Sequence, residues 1–329
     1  MTSRERVKRA IRFEGPDRVA VMHSVLPAAI ERHGDALRDI LHRYPSDYGA
    51  LDGGFEDYRG YVIGEGVDSW GVFWQSEQNG ILGLPVGHPL EDWREFSSYQ
   101  PPDPEKAEFR PPTTPRNEQK YLVTWCGNLF ERAQWLRGYE ALFLDIADRS
   151  QAVYDLLDMI VEHNLKMIGR WADCDIDGIE FWDDWGTQDT LMIAPSQWRE
   201  LFRPYYVRLF EAVHACGFDV HFHSDGQILD IIPDLVELGA DVINCQITVM
   251  QREALDRAVR GKVCLRSDLD RQHILPHGTP QQVAGHVRDI VDRFHRNGGL
   301  IGCGEIGPDV PLTNVEAMFE TFYSYGGPQ

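Results

Sequence analysis

Short apolar runs recur along the chain from residue 121 onward, at YLVTWC, DGIEFW, DVHFHS, DVINCQI, KVCLRSD and GGLIGCG. Each has the length of a strand and is rich in β-branched or aromatic residues. The stretches between them place apolar residues at helical spacing. SQWRELFRPYYVRLFEAVHACG and TPQQVAGHVRDIVDRFHRNGG are the clearest, and both close on glycine, the usual residue just past a helix end. Strands that alternate with helices predict βαβ units and a parallel sheet. RVAVMH, reached through a Gly-Pro-Asp turn, adds a seventh strand, and an eighth is expected between residues 135 and 175. No strand is followed by the phosphate loop GxxxxGK[ST], so an open nucleotide-binding sheet gives way to a (β/α)8 TIM barrel.

Two segments depart from this rhythm. MTSRERVKRAIRF predicts a helical N-terminal extension, and residues from about 50 to 115 are rich in Gly, Pro, Trp and Tyr. The latter read as a small strand and loop excursion ending in a Pro-rich loop, so residues 1–329 are expected to form a single barrel domain.

Composition narrows the function. Hydrophobic residues make up 43% and charged residues 26% of the chain, and no run approaches the roughly 18 to 20 apolar residues of a membrane span. The N-terminus lacks the apolar core of a secretory signal. The six cysteines contain no CxxC pair, which argues against a disulfide framework or zinc knuckle and for a reducing cytoplasm. A net charge of −20, from 32 basic and 52 acidic residues, would repel nucleic acid and anionic membranes. A small-molecule substrate and a protein partner are expected instead; a homo-oligomer is compatible with the sequence but not specified by it.

Barrel active sites lie at the C-terminal ends of the strands. Here GIEFWDDWGTQ ends on Asp183 and Asp184 between Trp182 and Trp185, and VHFHSDG ends on His223 and Asp225. VINCQ ends on Asn244 and Gln246, VCLRSDLD on Arg266 and Asp268, and LIGCGE on Cys303 and Glu305. Side chains alternate along a strand, so His221, His223 and Asp225 share one face. His221, the deepest, reads as a hydrogen-bonded core residue more readily than as a pocket residue. For His223 and Asp225 the expectation is acid/base or metal chemistry. Catalytic zinc takes three protein ligands and an open position, and His223, Asp225 and Cys303 could supply the three. Only one of Asp183 and Asp184 can look into the barrel, the other capping the next helix or turn. Trp182 and Trp185 predict an aromatic pocket wall. His221, Asn244, Gln246, Arg266 and Asp268 are candidate substrate contacts, and Glu305 a further acid or ligand.

Six ordered motifs carry a resemblance that runs essentially end to end: MTSRERVKRAIRFEGPDRVAV, DSWGVFW with HPLEDW, DDWGTQDTLMIAPSQWRELFRPYY, HFHSDGQILDIIPDLVELGADVIN, DLDRQHILPHGTPQQV and GPDVPLTNVEAM. The chain resembles the uroporphyrinogen decarboxylase superfamily, and more closely its methyltransferase-like branch. The resemblance implies a (β/α)8 barrel and one of two chemistries. True decarboxylases of this kind carry arginine just after the first strand to grip substrate carboxylates, whereas the matching HSVLPAAIERHG has none before Arg32. Corrinoid-dependent methyltransferases of the other branch move a methyl group between a small molecule and the cobalt of a partner corrinoid protein. Some bind zinc through His-x-Cys and a later Cys. Onto that pattern fall His223, Asp225 in place of the first Cys, and Cys303 in place of the second. Carboxylate in place of thiolate leaves zinc harder and suits it to polarising the oxygen of a methyl ether or methoxylated aromatic.

Three functions follow. The favoured one is corrinoid-dependent methyl transfer from a methoxylated or methylated small molecule, assisted by zinc or by His223 and Asp225 as an acid pair. The alternative is decarboxylation of uroporphyrinogen or a smaller acid, using Asp183 or Asp184. The third is a binding protein without chemistry of its own, against which stands the number of polar strand ends.

Overall fold

The structure is a computed structural model that describes residues 1–50, 54–55, 61–106, 109–110 and 119–326. All seven apolar runs are strands: β1 (Ala20–Val21), β2 (Val123–Trp125), β3 (Gly178–Trp182), β4 (Asp219–Ser224), β5 (Val242–Gln246), β6 (Cys264–Asp268) and β7 (Leu300–Gly302). They form one sheet, every pair parallel, in the order β1-β7-β6-β5-β4-β3-β2. Consecutive parallel neighbours from β2 to β7 are what repeated βαβ units produce.

No strand forms between residues 135 and 175, where the sequence pattern puts an eighth. Helices α1 (Ser3–Ile11) and α2 (Pro27–Arg43) precede β2, and residues 135–175 hold the end of α3 (Phe130–Arg137), then α4 (Tyr139–Ala147), α5 (Gln151–Trp171) and the turns that join them. The apolar residues of α5, among them Val153, Leu156, Leu157, Ile160 and Val161, are buried at helical spacing, so the run is a helix face rather than a strand. A short segment at 47–49 touches both edges of the sheet instead. The Asp47 amide donates to the Val21 carbonyl (2.8 Å), the Tyr121 amide to the Asp47 carbonyl (3.1 Å), and the Gly49 amide to the Tyr121 carbonyl (3.0 Å).

The long helix expected over 196–217 is two, α6 (Pro195–Leu201) and α7 (Arg203–Ala215). Pro204 has no amide hydrogen to donate back to residue 200, and the chain breaks at Phe202. The stretch TPQQVAGHVRDIVDRF holds as one helix, Pro280–Phe294, opened by a capping box between Thr279 and Gln282.

The sheet divides two apolar clusters. Ala20, Tyr48, Tyr121, Val242, Cys264 and Ile301 pack with Val7, Ala10 and Ile11 of α1, so the predicted N-terminal extension covers one end of the strands. The larger cluster fills the space between strands and helices, with Phe181, Phe210 and Phe222 among its fully buried members. Within the excursion, Gly64–Val67, Phe73–Ser76 and Leu84–Gly87 form a separate antiparallel sheet. Buried Asp68 accepts from the Trp70 and Val72 amides, Trp74 Nε1 and Arg132, tying this sheet to α3. Residues 51–53, 56–60, 107–108 and 111–118, which include part of the expected Pro-rich loop, lie outside the described residues. Among the described residues no helix is long and apolar enough to cross a membrane.

Asp47 anchors the joint between the two sheet edges. Its fully buried carboxylate takes Arg6 Nη1 (2.7 Å), Arg18 Nη1 (2.7 Å) and Nη2 (3.0 Å), and the Val21 amide (2.8 Å). Asp47→Ala removes the shared acceptor of two guanidinium groups and should lower unfolding stability by about 3–5 kcal/mol, the usual cost of breaking a buried pair from one side. The midpoint of a urea transition measures it, and an unchanged midpoint would show that Arg6 and Arg18 find other partners.

Candidate active site

Register builds the centre of the site. His223 pairs with Asn244 across β4 and β5, and Asn244 with Arg266 across β5 and β6, so the three side chains stand in one row on one face. Glu180 of β3 lies one row deeper, beside His221. Arg266 Nη2 bonds Glu180 Oε1 and donates to Asn244 Oδ1 (2.8 Å), while Asn244 Nδ2 donates to the Arg266 carbonyl (3.0 Å). With its NH2 group spent there, Asn244 can offer His223 Nδ1 only the amide oxygen, 2.6 Å away. Nδ1 therefore carries the hydrogen and Nε2 faces the strand ends. Burial would push the Glu180 carboxyl up, but the adjacent Arg266 guanidinium holds it below its ordinary value.

Asp184 and Asp225 meet His223 Nε2. Asp184 Oδ1 lies 3.5 Å and Asp225 Oδ1 3.7 Å from it, and one donor atom from each of the three residues lies within 4.8 Å of the others. Two adjacent loops make the encounter possible. The turn after β3 and the turn after β4 touch backbone to backbone at Gly186 and Gly226, where a Cβ on either would strike the other's main chain, and Gly226 sits at φ +77°. The Asp225 amide donates to Asp184 Oδ1 (2.7 Å), which fixes both carboxylates at one point. Burial disfavours the His223 charge, yet Asp184 and Asp225 outweigh it and raise the imidazole above its ordinary value. Burial likewise raises the Asp184 carboxyl, against the pull of His223.

The adjacent aspartates divide as alternation requires. Asp184 faces the site; Asp183 is fully buried and accepts from the Leu129 amide (3.1 Å), the Glu131 amide (2.9 Å) and Tyr206 Oη (2.8 Å). It caps α3, the helix after the preceding strand, rather than the next helix or turn, and burial brings its carboxyl up to about 7 against those hydrogen bonds. Trp185 does not wall a pocket. It is fully buried, stacks on Phe130 with centroids 3.7 Å apart and donates Nε1 to Tyr206 Oη (3.0 Å). Trp182 is 38% exposed and its ring neighbour is Trp125, 6.2 Å away.

Cys303 is not in the cluster; Asp184 stands in its place. The reason is sheet order, since β5 and β6 separate β7 from β4 whereas Asp184 follows β3, the direct neighbour of β4. The Cys303 amide and carbonyl are both engaged by Ser267 Oγ, and burial holds its thiol up at about 12. His221 belongs to the core: its Nε2 bonds Tyr121 Oη (2.9 Å), which donates to Asp219 Oδ2 (2.8 Å), and burial lowers its imidazole to about 4. Gln246 Oε1 accepts from the Gly226 amide (3.1 Å) and so braces the turn.

Four residues at or beside the site escape the strand-end pattern. Arg271, in the turn after β6, pairs with Asp225 Oδ2, with Glu305 Oε1 (3.0 Å) and at 4.0 Å with Asp268 Oδ2. Burial brings the Asp268 carboxyl up to about 7 despite Arg271. Glu180 is hidden inside β3. Trp125 closes β2 and donates Nε1 to Asn128 Oδ1 (2.7 Å), whose Nδ2 donates to Glu131 Oε2 (2.5 Å). Burial and the nearby Asp184, Asp183 and Asp225 push the Glu131 carboxyl well above its ordinary value. Trp125 closes its run as Trp182 does, so the strand-end signal could have found it; Glu131 and Arg271 lie off the strands and gave none.

One nitrogen and two carboxylate oxygens suit a divalent cation such as zinc. Asp225 Oδ1 strengthens the fit, being buried and accepting no hydrogen bond. Asn244 holds His223 from behind, which fixes the direction of the ligating nitrogen. Gly226→Ala should drive the two turns apart, because any Cβ there meets the Gly186 carbonyl oxygen and the backbone is left-handed. We expect a loss of about 1–3 kcal/mol in stability together with loss of cation binding, read by thermal unfolding and by metal titration; full binding in the variant would separate the Gly186–Gly226 contact from the site.

The family model for uroporphyrinogen decarboxylase (URO-D) matches residues 126–325. A methyltransferase from Methanosarcina mazei superposes with a TM-score of 0.71 at 14% sequence identity, covering 99% of this chain and 99% of that one. A dihydropteroate synthase from Xanthomonas albilineans gives 0.39 at 14% identity over 63% of this chain and 70% of that chain. No protein of curated function matches the sequence. The whole-chain likeness to the methyltransferase is one of fold. The family match spans well over half of the sequence, from the end of β2 through β7 and the Asp184–His223–Asp225 cluster, and the chain belongs to the uroporphyrinogen decarboxylase (URO-D) family.

Proposed function

We propose that the protein is a methyltransferase that takes a methyl group from a methoxylated or methylated small molecule and delivers it to a corrinoid protein. The observation that carries this reading is the Asp184–His223–Asp225 cluster with its unpartnered Asp225 Oδ1 at the strand ends. In this reading the sheet is a (β/α)8 barrel, its eighth strand reduced to residues 47–49 and its two edges joined through them. The excursion belongs to the same domain, and six unpaired cysteines suit a reducing cytoplasm.

His223, Asp184 and Asp225 would hold a zinc ion, which would supply Lewis acidity to a donor oxygen. Asn244 presents His223 Nε2 to that position, and Arg271 occupies the far oxygen of Asp225. Trp125 and Trp182 offer aromatic faces beside the cluster. The cations near the site support methyl transfer over decarboxylation of a polycarboxylate: Arg266 is engaged by Glu180, and Arg271 by Asp225 and Glu305. Arg32, in the segment after β1, is exposed on α2. A multiply charged anion would meet carboxylates here rather than open guanidinium groups.

Incubation with cob(I)alamin and a panel of methoxyarenes and methylamines should convert the cobalamin spectrum to that of the methylated form. His223→Ala should slow the conversion by at least about 100-fold. Protein purified without chelator should carry zinc that is lost in His223→Ala and kept in Cys303→Ala. Absence of methyl transfer across the panel, together with release of carbon dioxide from porphyrinogen, would replace this reading with decarboxylation.

A further inference from the structure

We infer that Arg271 is a positioning residue that makes Asp225 a one-oxygen donor, binding its Oδ2 so that Oδ1 faces His223 and the cation site. The inference rests on the metal-assisted reading above. Its observations are geometric. Arg271 Nη2 bonds Asp225 Oδ2, while Asp225 Oδ1 is buried, accepts no hydrogen bond and lies 3.7 Å from His223 Nε2. The Asp225 main chain is held independently through its amide on Asp184 Oδ1 (2.7 Å). Only the carboxylate torsion remains, and Arg271 sets it.

The arginine is itself braced. Its turn is pinned by Asp270, whose Oδ1 accepts the Gln272 amide (3.1 Å) and the His273 amide (2.8 Å) and whose carbonyl accepts the Leu275 amide (2.8 Å). Leu269 anchors the turn in the core. The second arm of the guanidinium donates to Glu305 Oε1 (3.0 Å), just beyond β7, so the planar fork spans the loops of β4 and β7 from a base on β6. A lysine ammonium is a point charge that cannot hold two carboxylates in this fixed geometry.

Charge and position make opposite predictions. If Arg271 acted only as a positive charge near the cation, Arg271→Lys would behave as wild type and Arg271→Met would bind metal more tightly. If it positions Asp225, both variants bind zinc at least about tenfold more weakly, as loss of an outer-shell partner does. Affinity is measured by competition with a chromophoric chelator. Cobalt(II) loaded in place of zinc adds a second readout: the absorption bands that report coordination geometry should shift in both variants. Glu305→Gln, which loosens only the second arm, should weaken binding in the same direction by less. Thermal midpoints close to wild type would confirm that the variants fold. Wild-type affinity and an unshifted cobalt spectrum in Arg271→Lys would overturn the inference, as would a wild-type protein that binds no metal. In either case the cobalamin assay decides the methyl-transfer reading separately.

Discussion

The buried ion pair between Glu180 and Arg266 is the contact on which the candidate site rests. Each side chain is nearly inaccessible to water, and taking either charge out of solvent alone would cost several kcal/mol. Arg266 Nη2 bonds both Glu180 and Asn244 across three strands, and the Asn244 amide that results has a single orientation. That orientation places the hydrogen on His223 Nδ1 and aims Nε2 at Asp184 and Asp225. A charge pair one row deeper in the sheet thus sets the tautomer of an imidazole at the strand ends. The arrangement tolerates no slip, because a shift of one residue in β5 would turn Asn244 to the opposite face.

Adjacent acids do different work for the same geometric reason. Asp183 and Asp184 are chain neighbours, yet one caps the start of a helix in the core and the other meets His223 at the strand ends. Asp183 resembles a capping residue supplied by a neighbouring strand, and with Tyr206 and the Trp185–Phe130 stack it fixes where α3 begins. Because α3 also carries Glu131 and Arg132, that cap positions one acid near the site and anchors the excursion through Asp68. Structural and chemical roles are separated by one peptide bond.

Carboxylates outnumber cations where the strands end. Asp184, Asp225, Asp268 and Glu305 surround His223 and Arg271, and burial raises the carboxyls of Asp184 and Asp268. Such a site favours a metal ion or a substrate without excess negative charge. Family membership alone leaves the reaction undecided, since one fold supports several chemistries.

The sequence by itself determined the seven strands, because alternation and length leave little choice for runs such as DVHFHS. It also placed His223 and Asp225 on one face at a strand end, since that follows from a period of two. The strand expected between residues 135 and 175 was misread because the apolar face of α5 imitates a strand run, and residues 47–49, which touch both sheet edges, are too short to show a pattern. Cys303 looked like a ligand because its strand end was visible, whereas strand order, set by the whole sheet, put Asp184 beside His223 instead. Trp185 likewise read as a pocket wall until the packing of α3 and α7 enclosed it. Arg271 and Glu180 carry no local signature, as a turn arginine and an acid within a strand acquire meaning only through the partners they meet. Periodicity along the chain decides which way a side chain points; what it points at is decided by contacts between segments far apart in sequence, and those belong to the tertiary structure.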